Sequence, residues 1–275
     1  MSADAATGTD EGLQRARAPW AAGDWDSFSR LIFPVGGLVL DRIGLEPGME
    51  LLDVGTGSGG TVAVPAALRG AEVTGLDLTP ELLVHARRRA GEAGVEVAWV
   101  EGDAQDLPFE DSSFDRVTST FGVMFAPDHR RAAAELVRVC RSDGRIAMTT
   151  WATDGMAGEL FHLSGRYLPS PPPGAGVPPQ WGDVSHIEEM FGAAGARVAV
   201  TRKAIEFQFA SVEAMVDSYA NEFGVFVVAR GLLEPQGRWD EFIGEFTELV
   251  HRFNRADDGA VRIASDFLLI LAGRL

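Results

Sequence analysis

The stretch LLDVGTGSGGT, residues 51–61, holds the residues of this chain best placed to do chemistry. Glycine lets a backbone approach a ligand closely or turn left-handed at little cost. Gly55, Gly57 and Gly60 have the G-x-G-x-x-G spacing of a dinucleotide turn. Gly55, Gly57 and Gly59 equally have the G-x-G-x-G spacing of a turn for S-adenosylmethionine (SAM). Gly55 to Gly60 also begins G-x-x-x-x-G, the opening of a triphosphate loop. That third reading fails, because Thr61 and Val62 stand where the loop needs lysine and then a hydroxyl residue.

Carboxylates further along weigh the other two. Asp77 suits a ribose diol, which both ligands present, so it separates nothing. Asp53 lies inside an apolar run two residues before the first glycine. Beside a pyrophosphate it is an unwelcome buried anion; beside an ammonium and a sulfonium the preference reverses. Asp103, in EGDAQDLPF, closes a later apolar run. There it can accept a hydrogen bond from an adenine amine, while Ala104 offers its backbone. An acid at a strand end is often a helix cap, so neither decides alone. At successive strand ends of one sheet they jointly favour SAM.

The elements that must position these groups follow from periodicity. Residues 1–17 read as a disordered polar tail, and 18–44 as one or two helices with an apolar stripe at Leu31, Val35, Leu38, Val39 and Ile43. MELLDVG, AEVTGLDL (71–78), VEVAWVEGDA (95–104), FDRVTSTFG (114–122) and RIAMTTW (145–151) read as strands. Thr79 and Pro80 start a helix over ELLVHARRRAGEAG, and a second helix through APDHRRAAAELVRVCRSDG is expected to end near Gly144. Strands alternating with helices predict a doubly wound parallel α/β sheet. Its ligand crevice lies at the carboxyl ends of the strands. The proline- and glycine-rich 168–182 cannot be regular helix or central strand. Extended chain follows over 196–210, helical periodicity over 211–257, and a last strand candidate in SDFLLILAGRL.

LLDVGTGSGG, VTGLDLTPELLVHAR, EGDAQDLPFEDSSFDRV and STFGVMFAPDHRRAAAELVRVCRSDGRIAM together resemble the motifs of class I SAM-dependent methyltransferases of the ubiquinone/menaquinone-biosynthesis type, as found among actinobacterial small-molecule enzymes. The resemblance covers residues 45–152, and more weakly WAAGDWDSF, the proline-rich segment and FNRADDG. Where the family has Pro-Gly-Gly before its fifth strand, this chain has Ser142-Asp143-Gly144. It implies a seven-stranded Rossmann-like sheet of order 3-2-1-4-5-7-6 with an antiparallel seventh strand. It also implies SAM as cofactor and S-adenosylhomocysteine as product. Asp53, Gly55, Thr56, Gly57 and Gly59 would hold the methionine portion, Asp77 the ribose, Leu78 the adenine face, Asp103 and Ala104 the adenine edge, and Thr120 the methionyl end.

Methyl transfer is an in-line displacement, so a SAM site needs a water-excluding lid and an acceptor pocket. Lid material is expected in 18–44, 153–182 and 211–257, laid around the core 45–152 and the remaining sheet, 183–210 and 258–275. Trp20, Phe28, Trp151, Trp181 and Tyr219 are the acceptor-site candidates for a small apolar or aromatic metabolite. A hydroxyl or unactivated carbon acceptor needs a general base, for which His162, Tyr167 and Glu222 are the candidates. A non-methylating SAM enzyme, pericyclic or decarboxylating, and a nicotinamide oxidoreductase are the rival readings.

Bulk properties narrow the field. The chain has 275 residues, 24 basic against 40 acidic, for a net charge of −16. Such a field repels phosphate backbones, which argues against a nucleic-acid partner. The basic run HARRRA (85–90) reads as the solvated face of a helix. Few histidines and one cysteine, Cys140, argue against a metal, and Cys140 reads as a packed helix residue. No apolar run is long enough to span a membrane, and the start is too polar for a secretory signal. A cytoplasmic location is the expectation.

Overall fold

The computed structural model describes residues 3–274, with side chains from residue 12 onward. Helix α1 (Ala3–Ala21) occupies most of the segment expected as a disordered tail, whose first two residues lie outside the described residues. Contacts that composition does not reveal tie it down. Arg17 lies 3.2 Å from Glu101, and Trp20 meets Trp25 and Phe125 edge-on at 5.1 and 4.6 Å. Next come a single turn, α2 (Trp25–Phe28), a 3-10 turn over Ser29–Ile32, and α3 (Phe33–Ile43). Proline in the first turn of α3 and a left-handed Gly44 after it are ordinary start and stop signals.

The alternating core follows: β1 (Glu50–Val54), α4 (Ala63–Leu68), β2 (Glu72–Asp77), α5 (Pro80–Ala93), β3 (Ala98–Glu101), β4 (Phe114–Thr120), α6 (His129–Val139) and β5 (Cys140–Trp151). Beyond it lie α7 (Met156–Tyr167), α8 (Val184–Ala193), β6 (Ala196–Phe209), α9 (Val212–Asn221), α10 (Gly224–Leu233), α11 (Trp239–Phe253) and β7 (Val261–Arg274). The strands form one sheet of order β3-β2-β1-β4-β5-β7-β6, the order implied by the resemblance. β1 to β5 pair in parallel, and β7 runs antiparallel to both β5 and β6.

Two expectations are corrected in the core. Helix α6 stops at Val139, not near Gly144, so Cys140 begins a strand. The reason is local: the Ser112 and Ser113 amides donate to the Arg138 and Val139 carbonyls at 2.9 Å and draw the chain out of the helix. Ser142-Asp143-Gly144 falls in the register break between the Phe114–Cys140 and Arg116–Arg145 pairs. Cys140 is buried, and burial pushes its thiol up to about 11, the behaviour of a packing residue. Strand β3 is also shorter than its apolar run suggested.

Burial follows two clusters. The larger lies along the sheet with α3, α4, α6 and α8. The smaller joins α7, α9, α10 and α11 through Tyr219, Phe226, Phe242 and Phe246. It is seated on the outer ends of the β6–β7 pair. These strands match along their whole length, from Ala196–Arg274 to Phe209–Val261, whereas β5 reaches only Phe267–Ala272 of β7. The overhanging Val261 and Ile263 are fully buried in the smaller cluster.

Candidate functional site

A cavity of about 990 Å³ opens where the parallel strands end, between the sheet and α1–α2 on one side and the proline-rich segment on the other. Its floor is the glycine turn after β1. Gly55, Gly57 and Gly59 all have positive φ, at 67°, 57° and 73°. Their reasons differ. A Cβ on Gly55 would lie 2.9 Å from Gly122 Cα, so the turns after β1 and β4 touch backbone to backbone. A Cβ on Gly57 would lie 3.2 Å from the Trp25 indole nitrogen, which roofs the turn. A Cβ on Gly59 would enter the Trp99 ring at 2.6 Å, and one on Gly60 the Phe33 ring at 2.1 Å.

Gly59, expected as a ligand contact, therefore serves packing and does not line the cavity. Gly59→Ala is expected to cost about 1–3 kcal/mol through overpacking and the left-handed backbone, read by denaturant unfolding. Trp99 sits half-buried on a short strand and can partly yield.

The three carboxylates expected from the sequence all face the cavity. Asp53 is 2% exposed. It accepts hydrogen bonds from the Thr56 hydroxyl at 2.7 Å and the Thr118 hydroxyl at 2.8 Å. Burial, with the Asp77 charge nearby, raises its carboxyl from 3.8 to about 6. Asp77 accepts the Gly57 amide at 2.7 Å and the Thr79 amide at 2.9 Å, so it fixes the glycine turn as well as facing the cavity. Burial raises its carboxyl too. Asp103 accepts the backbone and side-chain amides of Gln105 at 2.9–3.0 Å. Leu78, Ala104 and Thr120 complete the set of predicted contacts on the wall. The Thr120 hydroxyl is buried without a hydrogen-bond partner.

Some lining residues went unread in the sequence. Glu101 also faces the cavity, paired in register with Asp77 at the end of β3. The strand-end rule that located Asp77 points to it as well. Phe121 has a φ of 55°, uncommon for a bulky residue, and stacks on Trp151 at 4.0 Å. No sequence signal announces that strain.

Of the five acceptor candidates, only Trp20 lines the cavity. Trp151 is used up in its stack on Phe121. Trp181 is wholly buried, against His129 and Phe191. Phe28 and Tyr219 meet each other edge-on at 4.9 Å within the helical cap. Phe125, from the turn after β4, and Trp25 are the aromatic residues that join Trp20 on the wall, with Phe121 beneath.

The Methyltransferase domain family matches residues 52–148, from β1 through β5. Uncharacterized proteins of Mycobacterium tuberculosis are 44% identical over 176 residues (64% of this chain and 64% of the relative) and 38% identical over 217 residues (78% of each). The chain thus spans 64% of the length of the first of these relatives. The demethylmenaquinone methyltransferase of Thermus thermophilus is 41% identical over 100 residues, 36% of this chain and 46% of that protein. The chain belongs to the class I SAM-dependent methyltransferases. Solved structures share the fold at low identity. The YcgJ protein of Bacillus subtilis has a TM-score of 0.59 at 22% identity, covering 87% of this chain and 98% of that one. A phosphoethanolamine N-methyltransferase of Haemonchus contortus, solved with S-adenosylhomocysteine, has a TM-score of 0.55 at 18% identity, covering 88% and 53%.

In this member of the methyltransferase family the three candidate bases stand away from the cavity lining. His162 is exposed on α7. Tyr167 donates to Glu245 at 2.6 Å, and burial together with that bond pushes its hydroxyl up to about 12. Glu222 ends α9, where its carbonyl accepts the Asp24 amide at 3.0 Å. His129 lies behind the cavity wall, its Nδ1 3.2 Å from His186 Nε2. Burial, then the His186 charge, lowers it to about 4. Its imidazole is expected to stay neutral at pH 6, with an NMR titration midpoint near 4. Among the described residues no group of three or more His, Cys, Asp or Glu could hold a metal ion. Among them, too, no helix is long and apolar enough to cross a membrane.

Proposed function

We propose that the protein binds SAM in this cavity and transfers its methyl group to a small apolar or aromatic metabolite in the cytoplasm. The observation that carries the reading is Asp53: a carboxylate buried at the glycine turn, its pKa raised by burial and by the neighbouring Asp77 charge. A ligand bringing an ammonium and a sulfonium supplies what the site lacks; a pyrophosphate adds to the cost. The orphaned Thr120 hydroxyl fits the same ligand.

In this reading Asp53, Gly55, Thr56, Gly57 and Thr120 hold the methionine end, Asp77 and Leu78 the adenosine, and Asp103 with Ala104 the adenine edge. SAM supplies an activated methyl group on sulfur, and the protein's own residues orient and dry the site. Trp20 and Phe125 form the apolar wall for the acceptor, with Pro171 and Pro172 of the proline-rich segment opposite. The lining volume, at the upper end of the range of about 300–1,000 Å³ for ligand pockets, accommodates cofactor and acceptor together.

Calorimetry with SAM, S-adenosylhomocysteine and NAD tests the cofactor. Heat from NAD and none from the two adenosyl ligands would refute the reading. Labelled-methyl transfer to product separates methylation from a pericyclic or decarboxylating reaction that merely uses SAM. Trp20→Ala is expected to raise the acceptor KM about tenfold, the scale of one aromatic contact. An unchanged KM would remove Trp20 from the acceptor wall.

A further inference from the structure

The basic run on α5 has a solvated face, yet Arg88 from the exposed edge and Arg89 from beneath it both reach a single buried carboxylate. Asp26, in the one-turn helix α2, is 6% exposed. Arg88 Nη2 donates to it at 2.9 Å, Arg89 Nη2 donates to its other oxygen, and His85 Nδ1 lies 3.7 Å away. Burial alone would raise this carboxyl, but the Arg89 and Ser58 hydrogen bonds and the charges of Arg89 and His85 hold it below its ordinary value.

Arg89 does more than neutralise Asp26. Its Nε donates to the Ser58 carbonyl at 3.2 Å, inside the glycine turn, and its guanidinium lies 4.9 Å over the Phe33 ring of α3. The Ser29 and Ser58 hydroxyls add a bond of 3.4 Å between the 3-10 turn after α2 and the glycine turn. One side chain thus joins α2, α3 and the turn after β1. A four-residue helix has no stability of its own, so its position is set by such anchors. What α2 carries is Trp25, whose indole nitrogen sits directly over Gly57 and whose ring supports Trp20.

We propose that Asp26 is a positioning residue: through Arg89 it locks α2 to the glycine turn, so that Trp25 roofs the methionine end of the SAM site. The proposal rests on the function given above. It assigns Asp26 no contact with the reacting atoms; it sets cofactor affinity by fixing the roof and the floor as one unit.

The test pairs SAM titration with amide hydrogen exchange on the ligand-free full chain. In Asp26→Asn the Kd for SAM is expected to rise about tenfold, since the arginines lose their buried partner. Exchange across residues 20–33 should quicken while the amides of β1 and β4 keep their rates. Asp26→Glu, which retains the charge, should bind within about threefold of the native protein. If Asp26 acts through Arg89, Asp26→Asn combined with Arg89→Gln should bind no more weakly than the worse single variant. Native Kd and native exchange in Asp26→Asn, or strictly additive losses in the pair, would overturn the proposal. Should Asp26→Asn fail to fold, Arg89→Gln replaces it, with the same exchange pattern and a Kd about tenfold higher expected. An Arg89→Gln protein native in both readouts overturns it equally. If the native chain binds no SAM, the functional reading fails, and the exchange data alone decide whether Asp26 holds α2.

Discussion

Asp53→Asn is expected to weaken SAM binding by about 2–3 kcal/mol, from 30- to more than 100-fold in Kd, while leaving the ligand-free protein more stable at neutral pH. The two effects have one cause. Asp53 titrates near 6 in the folded chain against 3.8 for the ordinary carboxyl. Between those values the folded state binds more protons than the unfolded state, so stability from this group declines as pH rises through that window. Above it the charged group disfavours the folded state by about 3 kcal/mol, the free-energy equivalent of roughly two pKa units. Asparagine removes that burden and keeps the shape. Its amide can donate to Thr118, whose hydroxyl already lies 3.3 Å from the Leu52 carbonyl and can turn to it. A cationic ligand favours the ionised form, so native SAM affinity should fall as pH drops below about 6, and that slope should vanish in the variant. Calorimetry from pH 5 to 8 with thermal melts of both proteins reads both. A variant with native affinity, or an unchanged pH slope, would contradict the assignment of Asp53 to the methionine end.

Gly55→Ala is expected to cost about 2–5 kcal/mol of stability. The left-handed backbone at φ 67° resists any side chain, and the new Cβ would meet Gly122 Cα at 2.9 Å. Backbone cannot swing aside as a side chain does, so the turns after β1 and β4 must separate. That movement reaches Phe121, already strained, and Thr120 beside it. Loss of SAM binding should therefore accompany the fall in Tm, whereas Gly59→Ala, against a movable tryptophan, should retain most of its affinity. Equal effects at the two positions would show that the backbone contact is not what specifies glycine.

The same pair of glycines marks how far the sequence could be read. The glycine turn spaced 55-57-59 and the acids at 53, 77 and 103 were legible as parts of the cavity because strand ends converge on one crevice. Which glycine faced the cavity was not legible, since Trp99 and Phe33 demand glycine as firmly as a ligand would. Strand order followed from the resemblance, and the helical periods of 211–257 were correctly placed. The acceptor wall was not. Trp20 and Trp181 differ in nothing that sequence displays, yet one lines the cavity and the other is fully enclosed against Phe191. Aromatic composition identifies a region rich in apolar surface without saying which rings are spent on each other. The helix through residues 3–21 escaped notice because long-range partners, Glu101 for Arg17 and Phe125 for Trp20, hold it.

The overhang of β6 and β7 beyond β5 has a bearing on how such a protein could diversify. The cap's aromatic core grows from the same two strands that complete the sheet, so the cap cannot swing as a separate body without bending a ladder of fourteen residue pairs. A transplanted cap would have to arrive with both strands and in their register. New acceptor preferences are more readily gained at α1, α2 and the proline-rich segment, which border the cavity and can vary without disturbing that scaffold.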